Sequence, residues 1–326
     1  MAEMKKIGVL TSGGDAPGMN AAIRSVVRSC IYYGVQPVAI HEGYKGLIEN
    51  NMEEVNARSV ANIINQGGTF LKSARCAEFR TPEGRTKAFE NAKAAGLDGL
   101  VVIGGDGSFT GAMLIEKEHG MPCIGVPGTI DNDIFGTDYT IGYDTALNTA
   151  VEAIDKIRDT ATSHNRLFLI EVMGRDAGFI ALNSGIAAGA EEILIPEEDH
   201  SVDKLMDSLQ NSGRAGKTSS IVVVSEGEKI GGVVELGRAV EESFPEYEVK
   251  VTVLGHIQRG GKPTCVDRVL ASRLGVAAVE KLREGISGVM VGVRDQKVVT
   301  TPLEEAISKH NAIDDDLLRV ADIVTV

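Results

Sequence analysis

The sequence predicts an α/β fold: two three-layer α/β/α domains, each built on a mainly parallel sheet. Three observations carry this expectation. Short apolar runs alternate with longer helical patterns from one end of the chain to the other. The runs are almost continuously apolar, as strands covered on both faces must be. Helical patterns separate most of them, and a parallel strand pair needs such a crossover.

In chain order the strand candidates are KKIGVL (5–10), QPVAIH (36–41), DGLVVIGG (98–105), PCIGVPG (122–128), RLFLIEVM (166–173), EEILIP (191–196), SSIVVVSE (219–226) and VKVTVLG (249–255). Helical patterns occupy 18–33, 86–95, 107–119, 144–160, 177–188, 202–211, 232–243 and 264–283. The tail adds a hairpin, GVMVGVRDQKVVTT (288–301), and a last helix from 302. No low-complexity tract or Ser/Pro-rich linker marks a domain boundary. The helix GYDTALNTAVEAIDKIRDTA (142–161) is long enough to act as a spine between two halves. The expected domains are therefore 1–141 plus 255–303, and 142–254 plus 304–326.

Composition narrows the function. The chain has 326 residues, 43% hydrophobic and 24% charged, which suits a soluble globular protein. A net charge of −13 argues against a nucleic-acid binder and against an anionic membrane surface. Small anionic ligands remain compatible, because a few local arginines can hold a phosphate. Cys30, Cys76, Cys123 and Cys265 lie far apart with no CxxC pair, so reduced thiols are expected rather than a zinc cluster or disulfide framework. The start MAEMKKIGVLTSGG lacks the apolar core of a secretory leader, and no apolar stretch approaches a membrane span. A cytoplasmic location is expected.

Ligands of open α/β sheets sit beyond the carboxyl ends of strands, so each strand end is a candidate site. The first strand runs into TSGGDAPGMN (11–20) and then a helix beginning near Gly18. Its glycines allow close backbone approach, and the helix start aims free N–H groups at an anion. The third gives VVIGGDGSFTGA (101–112), with Ser108 placed to cap the helix that follows. Asp106 stands inside this phosphate-shaped loop, where a bare carboxylate would repel the ligand. A magnesium ion resolves the conflict, since Mg²⁺ binds one or two carboxylates together with substrate phosphates. A decoy, RAGKTS (214–219), lacks the first glycine of a phosphate-binding P-loop and leads into a strand instead of following one.

VPGTIDND (126–133) then becomes intelligible. Two phosphate loops imply a nucleotide and its metal, so acids are needed both for the metal shell and to accept a proton from an attacking hydroxyl. If extended, Asp131 and Asp133 point the same way, with Asn132 opposed. Read alone, TIDND is also compatible with a cap for the segment that follows.

At this point the chain resembles a known family, the bacterial-type ATP-dependent phosphofructokinases, over almost its whole length. The resemblance rests on LTSGGDAPGMNAAIR (10–24), GGTFLKSAR (67–75), VVIGGDGS (101–108), PGTIDND (127–133), IEVMGR (170–175) and VLGHIQRGG (253–261), all in family order. It implies transfer of the γ-phosphoryl of ATP to the 1-hydroxyl of fructose 6-phosphate, giving fructose 1,6-bisphosphate and ADP in glycolysis. It casts Asp131 as general base beside Thr129, Asp106 as the magnesium ligand and Asp133 as a second contributor to the metal. Gly14, Arg75, Cys76, Gly105, Asp106, Gly107 and Ser108 match ATP-binding positions. The sugar-phosphate pocket is matched by Thr129, Ile130, Asp131, Met173, Gly174, Arg175, Glu226, His256, Ile257, Gln258 and Arg259. Arg175 also joins the catalytic set, covering the migrating phosphoryl group with Arg75. Arg166 matches an arginine reaching the sugar from a neighbouring subunit, and a homotetramer with shared active sites is implied.

Glycine at 107 and 128, where pyrophosphate-using relatives typically carry aspartate and lysine, favours ATP as donor. Two departures from the family pattern stand out. Lys250 replaces a usual interface arginine, keeping charge but losing the bidentate fork, so weaker fructose 6-phosphate binding is expected. Arg24, Arg28, Arg158, Gly189, Glu191 and Lys217 match an allosteric pocket for ADP and phosphoenolpyruvate. There, however, Ala57, Ala215 and Ser219 replace cationic partners, and blunted regulation is expected. The alternative readings are a pyrophosphate-dependent phosphofructokinase and a distant NAD-kinase-like enzyme sharing the GGDG loop. A dehydrogenase is disfavoured because the glycines are off register for GxGxxG, and a catalytically dead sensor because the acids and arginines are present.

Overall fold

The computed structural model describes residues 4–161, 166–214, 219–245 and 248–325. They form an α/β protein with two sheets, as expected. The chain divides into two compact units, one of Met1–Ile130, Ile134–Thr145 and Arg259–Asn311, the other of Asp131–Asp133, Ala146–Gln258 and Ala312–Val326.

The first unit holds strands β1 (Lys6–Thr11), β2 (Gln36–Ile40), β3 (Met52–Glu54), β4 (Gly99–Gly104), β5 (Cys123–Pro127), β10 (Val289–Arg294) and β11 (Lys297–Pro302). They form a seven-stranded sheet in the order β11-β10-β5-β4-β1-β2-β3. The central strands β1, β4 and β5 are parallel neighbours, whereas β3 and β11 pair antiparallel at the two edges. GLVVIG of β4 is buried along its whole length, which explains its uninterrupted apolar run. Its helices are α1 (Met19–Tyr32), α2 (Tyr44–Glu49), α3 (Pro82–Ala94), α4 (Asp106–His119), α9 (Cys265–Arg283) and α10 (Leu303–Ser308). Leu10, Leu47, Leu100, Phe109, Ile115 and Leu303 fill a core on one face of this sheet.

The second unit holds β6 (Arg166–Val172), β7 (Glu192–Leu194), β8 (Ser219–Ser225) and β9 (Glu248–Val253), all parallel, in the order β7-β8-β6-β9. Helices α6 (Phe179–Ala188), α7 (Val202–Arg214), α8 (Val233–Ser243) and α11 (Asp315–Val324) belong to it, with Leu167, Leu169, Leu205, Val222, Val224 and Val240 in its core. Helix α5 (Tyr143–Ala161) begins at the boundary between the two groups.

The structure departs from the sequence reading in local ways. The tail from 302 is two helices, α10 and α11, and α10 groups with the first unit because Leu303 and Ala306 are buried in its core. Helix α3 starts at Pro82, four residues before the expected pattern, because the Thr81 hydroxyl accepts from the Gly84 N–H at 3.1 Å and proline suits the first turn. α2 and β3 were not expected, since elements this short show no period. Ser108 is not a cap: Gly105 precedes the helix, and Ser108 lies buried inside its first turn. Asp131 and Asp133 do not lie on an extended segment, because Asn132 adopts φ 57°, a left-handed conformation that asparagine tolerates.

Candidate active site

In the first unit, register aligns the strand ends. Thr11 of β1 pairs with Ile103 of β4, and Gly104 of β4 pairs with Pro127 of β5. The loop 12–18, the start of α4 and the residues after Pro127 therefore leave the same edge of the sheet. The Ser12 N–H donates to the Ile103 carbonyl at 3.0 Å, and the Gly128 N–H to the Gly104 carbonyl at 3.0 Å, which lashes the three loops together. Glycine is required at 104, where a Cβ would lie 2.5 Å from both the Ser12 carbonyl oxygen and the Ser108 hydroxyl. At Gly107 the reverse holds: a Cβ would meet nothing within 4 Å, so open space faces the helix start. The Tyr44 hydroxyl, buried, donates to the Ser108 carbonyl at 2.5 Å and steadies that first turn.

Gly14 follows β1, and a Cβ there would come within 2.7 Å of the Arg259 guanidinium. The Nε of Arg259 is buried without a hydrogen-bond partner. This arginine, assigned by resemblance to the sugar pocket, thus lies over the first glycine loop. Asp106 is half-buried at the N-terminus of α4, and one of its carboxylate oxygens lies within 4.8 Å of a ring nitrogen of His310. A carboxylate at a helix start beside a glycine loop has the right chemistry for Mg²⁺; the exposed imidazole suits that hard ion less well. Thr129 is half-buried, its carbonyl accepting from the Thr140 hydroxyl at 2.7 Å, and Ile130 is buried.

Arg75 and Cys76 lie on the 67–77 loop, Arg75 exposed and Cys76 half-buried. Two buried residues that sequence reading passed over hold this loop. Asn20 donates to the Gln66 and Gly67 carbonyls, each at 3.2 Å, and accepts from the Phe70 N–H at 2.7 Å. The Thr11 hydroxyl donates to the Lys72 carbonyl at 2.8 Å. Both stand inside the TSGGDAPGMN motif, so the signal was present but was credited wholly to the glycines. Asp267 was also passed over. Fully buried, it accepts from the Gly142 and Thr145 N–H groups, each at 2.8 Å, and from the Thr145 hydroxyl, joining the starts of α5 and α9. Burial raises its carboxyl above the usual aspartate range, against those hydrogen bonds.

In the second unit, Asp131 is buried and its Oδ2 lies 3.3 Å from the Arg175 Nε. Arg175 sits on a strained turn after β6, with φ 52°, and its side chain is 58% exposed. The turn is held by acceptors. Glu226 Oε1 accepts from the Gly174 N–H at 3.3 Å and the Arg175 N–H at 2.8 Å, while Gln258 Oε1 accepts from the Met173 N–H at 3.3 Å. Glu226 and Gln258 therefore position the Met173–Arg175 turn. Gln258 is fully buried in a 3₁₀ turn over Gly255–Arg259, which leaves His256 and Ile257 exposed. Asp133 is half-buried, two residues beyond Asp131.

Arg166 and Lys250 are not gathered with these residues. Both lie near the amino ends of β6 and β9, whereas Met173 and Gln258 follow the carboxyl ends. At about 3.3 Å per residue, Arg166 is some 20 Å from the Arg175 turn. Both cations meet Glu248 instead, Arg166 at 2.8 Å and Lys250 at 2.7 Å, and hydrogen bonds from both hold its carboxyl down to about 2.

Of the expected effector residues, Arg24 and Arg28 stand one turn apart on α1, and partial burial together with Arg28 lowers the Arg24 pKa. Arg158 donates to the Ala188 and Gly189 carbonyls at 2.8 and 2.6 Å and lies 3.8 Å from Glu191. Lys217 and Ala215 lie outside the described residues.

The class is now defined: a two-sheet α/β protein with glycine loops at its strand ends and a buried aspartate paired with an exposed arginine. The chain belongs to the phosphofructokinase family, whose model matches residues 6–282. It is 58% identical over 323 residues to "ATP-dependent 6-phosphofructokinase 1" of Thermus thermophilus, covering 99% of this chain and 100% of that one. It is 55% identical to "ATP-dependent 6-phosphofructokinase 2" of Bacteroides thetaiotaomicron, covering 98% of both. The solved phosphofructokinase of Saccharomyces cerevisiae superposes with a TM-score of 0.88 at 38% identity, over 93% of this chain. This chain spans 45% of that longer yeast chain. A pyrophosphate-dependent phosphofructokinase from Marinobacter aquaeolei shares the fold, with a TM-score of 0.84 at 23% identity.

Proposed function

We propose that the protein transfers the γ-phosphoryl of ATP to the 1-hydroxyl of fructose 6-phosphate, a glycolytic step carried out in the cytoplasm. One observation carries the reading: a buried Asp131 carboxylate 3.3 Å from a mostly exposed Arg175, held on a turn that Glu226 and Gln258 brace. Phosphoryl transfer asks for positioning and charge stabilisation rather than covalent catalysis. Asp131 accepts the proton of the sugar 1-hydroxyl as its oxygen attacks the γ-phosphorus in line. Arg175 pairs with Asp131 at rest and turns to the equatorial oxygens of the migrating group, a role shared with Arg75. The loops at Gly14 and Gly105–Ser108 take the nucleotide phosphates on backbone N–H groups. Mg²⁺ would be held by Asp106 with Asp133 contributing, and it would supply charge neutralisation to the nucleotide phosphates.

Open space at Gly107, together with the names of the relatives above 50% identity, supports ATP as donor. Distance along the strands supports shared sites: Arg166 and Lys250 are too far from their own chain's turn to serve it, so a second copy provides them and the protein is an oligomer. The missing cations at 57, 215 and 219 support weak regulation by ADP or phosphoenolpyruvate. A coupled assay with fructose 6-phosphate tests all of this. Turnover with ATP and none with pyrophosphate is expected; turnover with pyrophosphate alone, or with neither donor, refutes the reading.

A further inference from the structure

Glu248 lies between the two cations that the reading above gives to the sugar phosphate, and it has no part in the reaction as described. Strands β6 and β9 are parallel neighbours, and their register sets Arg166 directly opposite Glu248. Lys250, two residues along, shares a strand face with Glu248. The carboxylate is fully engaged: Oε2 accepts from the Arg166 Nε at 2.8 Å and Oε1 pairs with the Lys250 Nζ at 2.7 Å. β9 is an edge strand, and the side chains of Arg166, Glu248 and Lys250 are 27%, 48% and 45% exposed. Two cations are thus presented to solvent already paired with one acid on their own chain.

We propose that Glu248 is an internal stand-in for the sugar phosphate, a gate that occupies Arg166 and Lys250 until an incoming phosphate displaces it. The inference rests on the assignment of those two residues to fructose 6-phosphate. A phosphate carries close to two charges at neutral pH and three acceptor oxygens, against one charge and two oxygens on the carboxylate, so exchange favours the ligand. A neutral metabolite or a monocarboxylate has no such advantage, which makes the gate a filter for dianions. Arg166 and Lys250 hold Glu248 ionised down to about pH 2. The gate therefore opens by displacement and not by protonation in the physiological range. It also keeps a bare pair of cations from capturing adventitious anions on an exposed sheet edge.

The opposite role is a pre-organising one, in which Glu248 aligns the two cations for substrate. The two roles predict opposite signs. The full-length wild type, Glu248→Gln and Glu248→Ala are assayed with ATP and varied fructose 6-phosphate, with inorganic phosphate as competitor, at low salt and at about 0.5 M salt. Losing two exposed ion pairs should lower the KM for fructose 6-phosphate about 3–10-fold in both variants, with kcat and the KM for ATP unchanged. Inhibition by inorganic phosphate should strengthen in parallel, and the gap from wild type should close at high salt, where exposed charges are screened. A KM that is unmoved or raised in the variants, beside a wild type that turns over, overturns the gate while leaving the function standing. A wild type that does not phosphorylate fructose 6-phosphate overturns the function, and the gate falls with it. Glu248 is half-exposed and its glutamine isostere fills the same volume, so the sign is measurable even if the alanine variant folds poorly.

Discussion

Replacing Asp131 with asparagine separates chemistry from architecture. Asparagine keeps the shape of the side chain and one acceptor oxygen but removes the proton acceptor and the negative charge. The Asp131–Arg175 ion pair itself adds little stability, because the Arg175 side chain, 3.3 Å away, is 58% exposed and water can solvate it once the charge is gone. A pair with one solvated member contributes about 0–1 kcal/mol, so the melting temperature should fall by only about 3 °C. The chemical cost is far larger. Losing a positioned base lowers kcat by about 10²–10⁴-fold, equivalent to about 2.7–5.5 kcal/mol at the transition state. The KM for ATP should hold, because the glycine loops are untouched. The assay is steady-state coupled turnover with both substrates varied, alongside circular dichroism and a thermal melt. A folded Asp131→Asn protein within about threefold of wild-type kcat would remove Asp131 from the mechanism.

Other outcomes follow from individual contacts. Gly227→Ala should damage the Arg175 turn, because its Cβ would collide with the Arg175 carbonyl oxygen. Misplacing that turn should cost about 10-fold or more in kcat/KM for fructose 6-phosphate while the KM for ATP holds. Asn20→Ala removes three hydrogen bonds to the 66–70 segment, worth about 3 kcal/mol together, so both the melting temperature and the affinity for ATP should fall. Glu228 is buried with Oε2 unpartnered, and burial raises its carboxyl above the usual glutamate range. A raised folded-state pKa means the folded chain binds that proton more tightly than the unfolded one. Its stabilising effect is complete below about pH 4.5, the unfolded value, and is lost as pH rises through the elevated one. Glu228→Gln should therefore raise the melting temperature at pH 8 relative to wild type and gain less at pH 5; an equal gain at both would refute the assignment.

Much of the fold was legible because burial leaves a simple pattern. A strand covered on both faces must be apolar throughout, so GLVVIG and IVVV announce themselves, and each matching strand lies within a few residues of its expected bounds. Elements of three to six residues, α2 and β3, leave no period to read. The same limit applied to the site. The glycines and acids of TSGGD, GGDGS and TIDND could be picked out by the chemistry they permit. Asp267 acts by hydrogen-bonding backbone groups up to 125 residues away, and nothing local marks such a partner.

The sequence by itself determined the architecture and the chemical vocabulary: parallel sheets, glycine loops at strand ends, and acids that need a metal or a proton to justify them. These are properties of short segments, set by periodicity and by what a single residue type can do. Only the tertiary structure decided which segments share an edge and which stand apart. It set Arg259 over Gly14, paired Asp131 with Arg175, and stationed Arg166 and Lys250 a strand's length from that pair, on a carboxylate of their own. Strand register and turn geometry fix those placements through hydrogen bonds between residues remote in the chain, and no local pattern encodes them.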